Sequence, residues 1–262
     1  MAGIKQSHER ADDTLANNVT YQRCLYAYDF AIPYITGKKV IDIGCGLGYG
    51  TSLMAAYADQ ITGVDYDAET IAANKIKYKN IPNIDFVQSS VPPVAFEDNS
   101  IDVVTAFQFI EHIEKRKEFI KDVLRVLRPG GAFLITTPNA KKSLARNPFH
   151  VHEYTFEEMI KELKLLDAKF EVKGLQGDQK VNKYYEENSK WVRGILKFDV
   201  LGLHKKLPAE WLTAPYNWIT SIMRKNLMGK VDDTLDITTG NFFLQNQNLD
   251  NTWDIYAIVY KQ

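Results

Sequence analysis

Residues 40 to 50 read VIDIGCGLGYG: a short apolar run holding Asp42, then glycines at 44, 46, 48 and 50. Each glycine costs conformational entropy on folding, so such spacing marks unusual backbone angles or something that approaches the backbone closely. A second carboxylate, Asp65 in ITGVDYD, ends the next apolar run. A carboxylate at the end of a second strand can accept hydrogen bonds from both hydroxyls of a ribose, so Asp65 points to a nucleoside. The dinucleotide fingerprint G-x-G-x-x-G does not fit: counted from Gly44 its third glycine falls on Tyr49, and counted from Gly46 it falls on Thr51. Histidines that titrate near neutrality can act as bases, and three of the five sit just past apolar runs: His112 in QFIEHI, and His150 and His152 in NPFHVHEYT.

These residues need a scaffold that brings strand ends together. From residue 20 to about 172, short apolar runs alternate with helical patterns, the signature of a parallel sheet covered by helices. The expected strands are Lys39 to Ile43, Gln60 to Val64, Ile84 to Gln88, Ile101 to Ala106 and Ala132 to Thr136; the expected helices are 20–35, 50–57, 67–78, 115–127 and 155–165. Thr155 ahead of Glu157 and Glu158 reads as a helix start, and RPGG at 128–131 as a helix stop. In an open sheet of this kind, ligands bind beyond the carboxyl ends of the strands.

After residue 173 the rhythm changes. Residues 173–230 carry eleven Lys or Arg against five Asp or Glu, an excess of six, with Tyr184, Tyr185, Trp191, Phe198, Trp211, Tyr216 and Trp218 interleaved. Tyr216, Ile219, Ile222, Met223 and Leu227 fall on one helical face, so a helical insertion or lid is expected before a closing strand at 252–261. The expected division is a helical cap over 1–36, a core over 37–172, the insertion over 173–245 and the closing strand over 246–262.

Composition narrows the function classes. The 262 residues are 45% hydrophobic and 25% charged with a formal net charge of -1, which gives no global reason to expect a nucleic-acid partner. Two cysteines, Cys24 and Cys45, cannot make a disulfide framework, and no stretch reaches the roughly 18 apolar residues of a membrane span. A cytoplasmic protein without a transmembrane segment is expected, and a homodimer is left open.

VIDIGCGLGYG, GVDYD, SIDVVTAFQFIEHI and VLRPGGAFLITTPN, in this order and spacing, resemble the class I, seven-strand S-adenosylmethionine-dependent methyltransferases, over about residues 36–172 and the closing strand. That resemblance implies a Rossmann-like α/β fold, with a mostly parallel seven-stranded sheet between helices, and S-adenosylmethionine as cofactor. It implies that Asp42 and the turn of Gly44, Cys45, Gly46 and Gly48 hold the methionine moiety, Asp65 the ribose, and that Tyr66 flanks the adenine. Ser90, with Val91 after it, takes the place of the aspartate that family members commonly put near the adenine amine. Phe107 and Gln108 at the fourth strand's exit complete the implied pocket.

Methyl transfer from a sulfonium needs alignment in a water-poor pocket rather than a metal or a covalent nucleophile. His112, His150 and His152 are the candidate catalytic residues, the last two expected to point to one side of an extended segment and to line the acceptor pocket with Tyr154. His8 and His204 are less suggestive. The EHI stretch also resembles ubiquinone-pathway O-methyltransferases, some of which bind a divalent ion through Glu-x-x-Glu-His. Here Gln108 replaces the first carboxylate beside Glu111 and His112, so no required metal is expected. A small-molecule acceptor, O-methylated and phenol-, sugar- or lipid-like, is favoured. TTPNAKK after the fifth strand and AFQF at the fourth replace the NPPY or DPPY of many base-methylating enzymes. Methylation of RNA or protein, a non-catalytic cofactor-binding role and a nucleotide-dependent oxidoreductase are the alternatives.

Overall fold

The computed structural model describes residues 18–145, 147–197, 207–208, 211–214, 216–219 and 234–262. His8, Phe198, His204, Ile222, Met223 and Leu227 lie outside the described residues, as do most of the expected 215–228 helical face and residues 1–17 of the expected cap. Residues 211–214 and 216–219 are helical.

Helix α1 (Asn18–Ile35) leads into β1 (Lys39–Ile43), α2 (Tyr49–Ala55), β2 (Gln60–Asp65), α3 (Ala68–Lys77) and β3 (Ile84–Gln88). There follow β4 (Ile101–Phe107), a 3-10 turn at Ile110–His112, α4 (Arg116–Val126), β5 (Leu127–Pro138) and α5 (Phe156–Leu163). The chain ends with β6 (Ala168–Gly177), α6 (Gln179–Leu196), β7 (Phe242–Gln245) and β8 (Asp254–Lys261). The expected strands and helices through residue 165 are all present, with shifted ends.

The strands form one sheet in the order β3-β2-β1-β4-β5-β8-β6-β7. The first five run parallel, while β8 lies antiparallel to β5, and β6 pairs antiparallel with both β8 and β7. The fold is therefore the expected Rossmann-like α/β architecture, with eight strands instead of seven. Strand β7 and the second half of β6 fall within 173–245, the segment expected to be a helical insertion. The RPGG stretch does follow a helix, but it opens β5 rather than a loop.

Side chains alternate across the pleat and so sort into two cores. Ile41, Ile43, Val104 and Ala106 pack with Phe119, Val123, Met159 and Leu163 of α4 and α5. Val40, Val103 and Phe107 pack on the other face with Ala27, Tyr28, Ala31 and Ile35 of α1 and Met54 of α2. Positions 27, 28, 31 and 35 make one helical stripe, which is why α1 lies directly on the sheet. A third cluster, Val19, Leu175, Val181, Ile237 and Phe242, seats α6 against β6, β7 and the start of α1. The capping box expected at Thr155 forms: Glu158 N donates to Thr155 Oγ1 at 3.2 Å, and Thr155 N donates to Glu158 Oε2 at 2.8 Å.

Candidate active site

The turn after β1 is built from left-handed backbone. Gly44, Gly46 and Gly48 have φ of 75°, 49° and 73°, a region L side chains avoid. The spaces their missing side chains leave are used by the protein itself. A Cβ at Gly44 would lie 2.4 Å from the Phe109 ring, and one at Gly48 would lie 2.8 Å from Tyr78. Gly50 is helical, and its bare face admits the Tyr28 ring, 2.1 Å from where a Cβ would be. What the turn can offer a ligand is its backbone. Gly46 O accepts from Asn74 Nδ2 at 2.7 Å and Gly46 N donates to Asp65 Oδ2 at 3.0 Å.

Asp42 lies beneath this turn. It is fully buried, and its two oxygens accept from Thr51 Oγ1 at 2.6 Å and Thr105 Oγ1 at 2.8 Å. Burial pushes its carboxyl up to about 6 against the two hydroxyl bonds. Asp42 thus ties β1 to the start of α2 and to β4. Thr51 and Thr105 carry no motif signal, and only the fold brings them to Asp42. The Cys45 side chain is likewise turned inward, against Ile71 and Phe86.

Asp65 ends β2 at the rim of the turn, where it also accepts from Asp67 N at 3.1 Å. Tyr66 next to it is 55% exposed and Ser90 is exposed at the end of β3, so both stand on the same sheet edge as Asp65. Val91 packs against the first core. Phe107 is packed in the core, edge-on to Tyr28 at 4.9 Å. Gln108 has φ 51°, and its backbone N donates to Thr136 O at 2.9 Å, so the chain kinks sharply out of β4 and turns toward Glu111 and His112.

The histidines separate into one cluster and one outlier. His112 Nδ1 sits 3.0 Å from Phe149 O, and its ring is 5.0 Å from that of His150. His150 Nδ1 meets Glu153 Oε1 at 2.7 Å, and its Nε2 meets Asn147 Nδ2 at 2.9 Å. Since an amide nitrogen only donates, Nε2 is the accepting nitrogen and Nδ1 carries the proton. Burial alone would raise Glu153, but bonds from His150 and Ser143 outweigh it and hold that carboxyl low. Desolvation, and then His150, holds the His112 imidazolium down to about 4. The expected pairing of His150 and His152 on one side is corrected. Residues 147–152 form a turn instead of an extended strand, and His152 packs edge-on to Tyr154 at 4.7 Å, near Glu158. Tyr154 is buried and donates to Glu162 Oε2 at 3.0 Å, so it lines no pocket.

Glu111 anchors the cluster. Its backbone carbonyl accepts from the amides of Val151 and His152, clamping the histidine loop, and its buried Oε2 accepts from Thr137 Oγ1 at 3.0 Å. Burial raises its carboxyl to about 7, opposed by His150, its own backbone and Thr137. The sign follows: a carboxyl raised from 4.5 to about 7 contributes most to stability below pH 4.5, and the contribution is lost as pH rises through 7. Thermal melts should therefore show the wild type losing up to about 3 kcal/mol from this group between pH 4.5 and 8. Glu111→Gln should flatten the curve over that window, and an unaltered slope would refute the assignment.

Ligand atoms of Glu111, His112 and His150 lie within 4.8 Å of one another, close enough to hold a metal ion. The donors already have protein partners in Thr137, Phe149, Glu153 and Asn147.

The Gly-rich turn and the carboxylate-ended second strand lie together at the carboxyl edge of the β3-β2-β1-β4-β5 sheet, a Rossmann-like arrangement. Residues 41–135 match the family model described as "Methyltransferase domain". A Mycolicibacterium smegmatis protein named "Probable S-adenosylmethionine-dependent methyltransferase" is 36% identical over 166 residues, 62% of this chain and 60% of that protein. The ubiquinone biosynthesis O-methyltransferase of Acinetobacter baumannii is 31% identical over 117 residues, 44% of this chain and 47% of that enzyme. The crystal structure of YcgJ from Bacillus subtilis superposes with a TM-score of 0.55 at 19% identity, covering 90% of this chain and 98% of that one. Residues 41–135 are thus similar to a methyltransferase domain, and the relatives matched across that region are named as S-adenosylmethionine-dependent methyltransferases. The chain spans about three-fifths of the first relative's length and less than half of the second's. Among the described residues, no helix is long and apolar enough to cross a membrane.

Proposed function

We propose that this protein transfers a methyl group from S-adenosylmethionine to a hydroxyl of a small-molecule acceptor. The observation that carries the cofactor reading is the placement of Asp65: a carboxylate at the end of β2, at hydrogen-bonding distance from the backbone of the left-handed turn. Its lone pairs suit the two hydroxyls of a ribose, Tyr66 and Ser90 stand on the same edge for the adenine, and the turn offers backbone to the methionine tail. When bound, the cofactor supplies an electrophilic methyl group on a sulfonium.

The chain's own residues supply alignment and a proton acceptor. Glu153 holds the proton of His150 on Nδ1, which keeps the lone pair on Nε2. An acceptor hydroxyl that took the place of the Asn147 amide as donor to Nε2 would lose its proton to His150 as its oxygen attacks. Glu111 and His112 position this group, Glu111 by clamping the loop and His112 by packing edge-on to the His150 ring. We assign no required metal, because the three grouped ligands are held by protein partners and Gln108 stands where a hard cation would want a carboxylate.

The test is to incubate the purified protein with methyl-labelled donor and a metabolite extract, with and without a chelator. Label in a small molecule, equal in both arms, is expected. Label confined to RNA or protein would favour the macromolecular reading, and activity lost to the chelator and restored by magnesium would overturn the metal-free assignment.

A further inference from the structure

Resting on that methyl-transfer reading, the geometry points to a recognition subsite for the acceptor, formed by Arg23, Asp254 and Tyr185, that takes a neutral group carrying adjacent hydroxyls. Asp254 opens β8 and pairs with Pro138 of β5 and Leu175 of β6, which puts it on the carboxyl edge of the sheet where this fold binds its ligands. Gln108, at the kink out of β4, and Glu111 both lie within electrostatic reach of its carboxylate. The subsite therefore adjoins the histidine cluster.

Arg23 Nε stands 3.2 Å from Asp254 Oδ2, with the two side chains 16% and 2% exposed. Among the described residues, Arg23 Nε, Asp254 Oδ1 and the Tyr185 hydroxyl are buried and, that ion pair apart, have no hydrogen-bond partner. The guanidinium lies 5.5 Å over the Tyr185 ring, so the three polar atoms belong to one contact cluster. Burying one polar atom unpaired is costly, and native structures do it rarely; three together call for a ligand or for solvent.

Charge decides the ligand class. The guanidinium and carboxylate cancel, so a phosphate or carboxylate would face Asp254 and an ammonium would face Arg23, each against its own sign. A hydroxyl both donates and accepts. One can accept from Arg23 Nε and donate to Asp254 Oδ1, and its neighbour can exchange a bond with Tyr185. Access comes from the seating of α6, which carries Tyr185: among its described residues Val181 alone is buried, so the helix can lift without breaking a large core.

The test is saturation-transfer NMR on the full chain loaded with S-adenosylhomocysteine. The probes are methyl α-glucopyranoside and catechol as neutral vicinal hydroxyls on a sugar and on an aromatic ring, with glucose 6-phosphate and choline as charged controls. Transfer to one or both neutral probes is expected, and the responding arm identifies the carrier. Tyr185→Phe should weaken that probe roughly fivefold, the worth of one hydrogen bond, and Asp254→Asn should weaken it more. Both variants should keep the wild-type affinity for S-adenosylhomocysteine in calorimetry. If Asp254→Asn fails to fold, Tyr185→Phe, which removes a single oxygen, still decides the matter. Preference for a charged probe, no transfer to either neutral one, or unchanged affinity in the variants would overturn the subsite and mark the cluster as a solvated joint. Failure of the wild type to bind S-adenosylhomocysteine would instead sink the methyl-transfer reading.

Discussion

Replacing Asp65 with alanine should weaken S-adenosylhomocysteine binding about a hundredfold in titration calorimetry, since two hydrogen bonds to a charged acceptor together contribute about 3 kcal/mol and each 1.4 kcal/mol is a factor of ten. The variant should stay folded. Asp65 bonds to the backbone of Gly46 and Asp67, but the turn keeps its other ties: Gly44 N and Cys45 N donate to Val64 O, and Asn74 donates to Gly46 O. Asp65→Asn separates charge from shape. It preserves the volume while replacing one accepting oxygen by a donor that would oppose a ribose hydroxyl, so it should also bind weakly. An unchanged Kd in both variants would place the nucleoside elsewhere and remove the basis for the cofactor pocket.

The contrast between Asp65 and Asp42 shows what the glycine turn does. Both carboxylates flank it, and they differ in what their oxygens face. Asp42 spends both oxygens on Thr51 and Thr105 in the interior, whereas Asp65 meets backbone amides at the rim. The glycines are bare for reasons internal to the fold, because Phe109, Tyr78 and Tyr28 fill the space beside Gly44, Gly48 and Gly50. The turn's amides at Gly44 and Cys45 point to the second strand, where both donate to Val64 O. An alanine at Gly44 would meet both a disfavoured φ and the Phe109 ring.

The parallel half of the sheet was legible in the sequence because each of its strands is a short apolar run followed by a helical pattern or a turn residue. The antiparallel half was harder to read. Ala168–Gly177 does alternate, with Ala168, Phe170 and Val172 more covered than Lys169 and Glu171, but the strand lies at the boundary where charge and aromatics suggest an insertion. Strand β7, four residues long, is too short for periodicity to announce. Among the candidate site residues, the place of Asp65 at the end of β2 was legible from its position in the sequence. The Glu153 partner of His150 was not legible, because it follows three residues later in a turn that alternation misreads as extended. The packing of Phe107 was hidden for a related reason: which side of the pleat a strand-end aromatic leaves is not read from sequence, and here it leaves toward Tyr28 and Tyr256. Arg23 gives no local signal at all. Its partner is more than two hundred residues away, and only the closing of β8 beside β5 brings the two together.

His150→Ala should lower kcat about a hundredfold or more, the range a positioned general base supplies, while leaving S-adenosylhomocysteine affinity as it was. The Glu153–His150–Asn147 chain sets the expectation: one ring nitrogen is tied to a carboxylate, so the other is the accepting one, and the ring lies on the loop clamped to Glu111 in the 3-10 turn after β4. Glu153→Gln should produce a smaller loss. The amide can still accept from Nδ1 through its oxygen, but it no longer stabilises the imidazolium that forms when the acceptor gives up its proton. His152→Ala should change kcat little, because that ring packs on Tyr154 and Glu158 away from the cluster. The three variants therefore separate a base from a packing residue without knowledge of the acceptor: label incorporated from the methyl donor into extract is readout enough. Equal losses at His150 and His152 would mean that the loop, and not the base, was damaged; no loss at His150 would mean that the acceptor arrives already ionised or gives its proton to water.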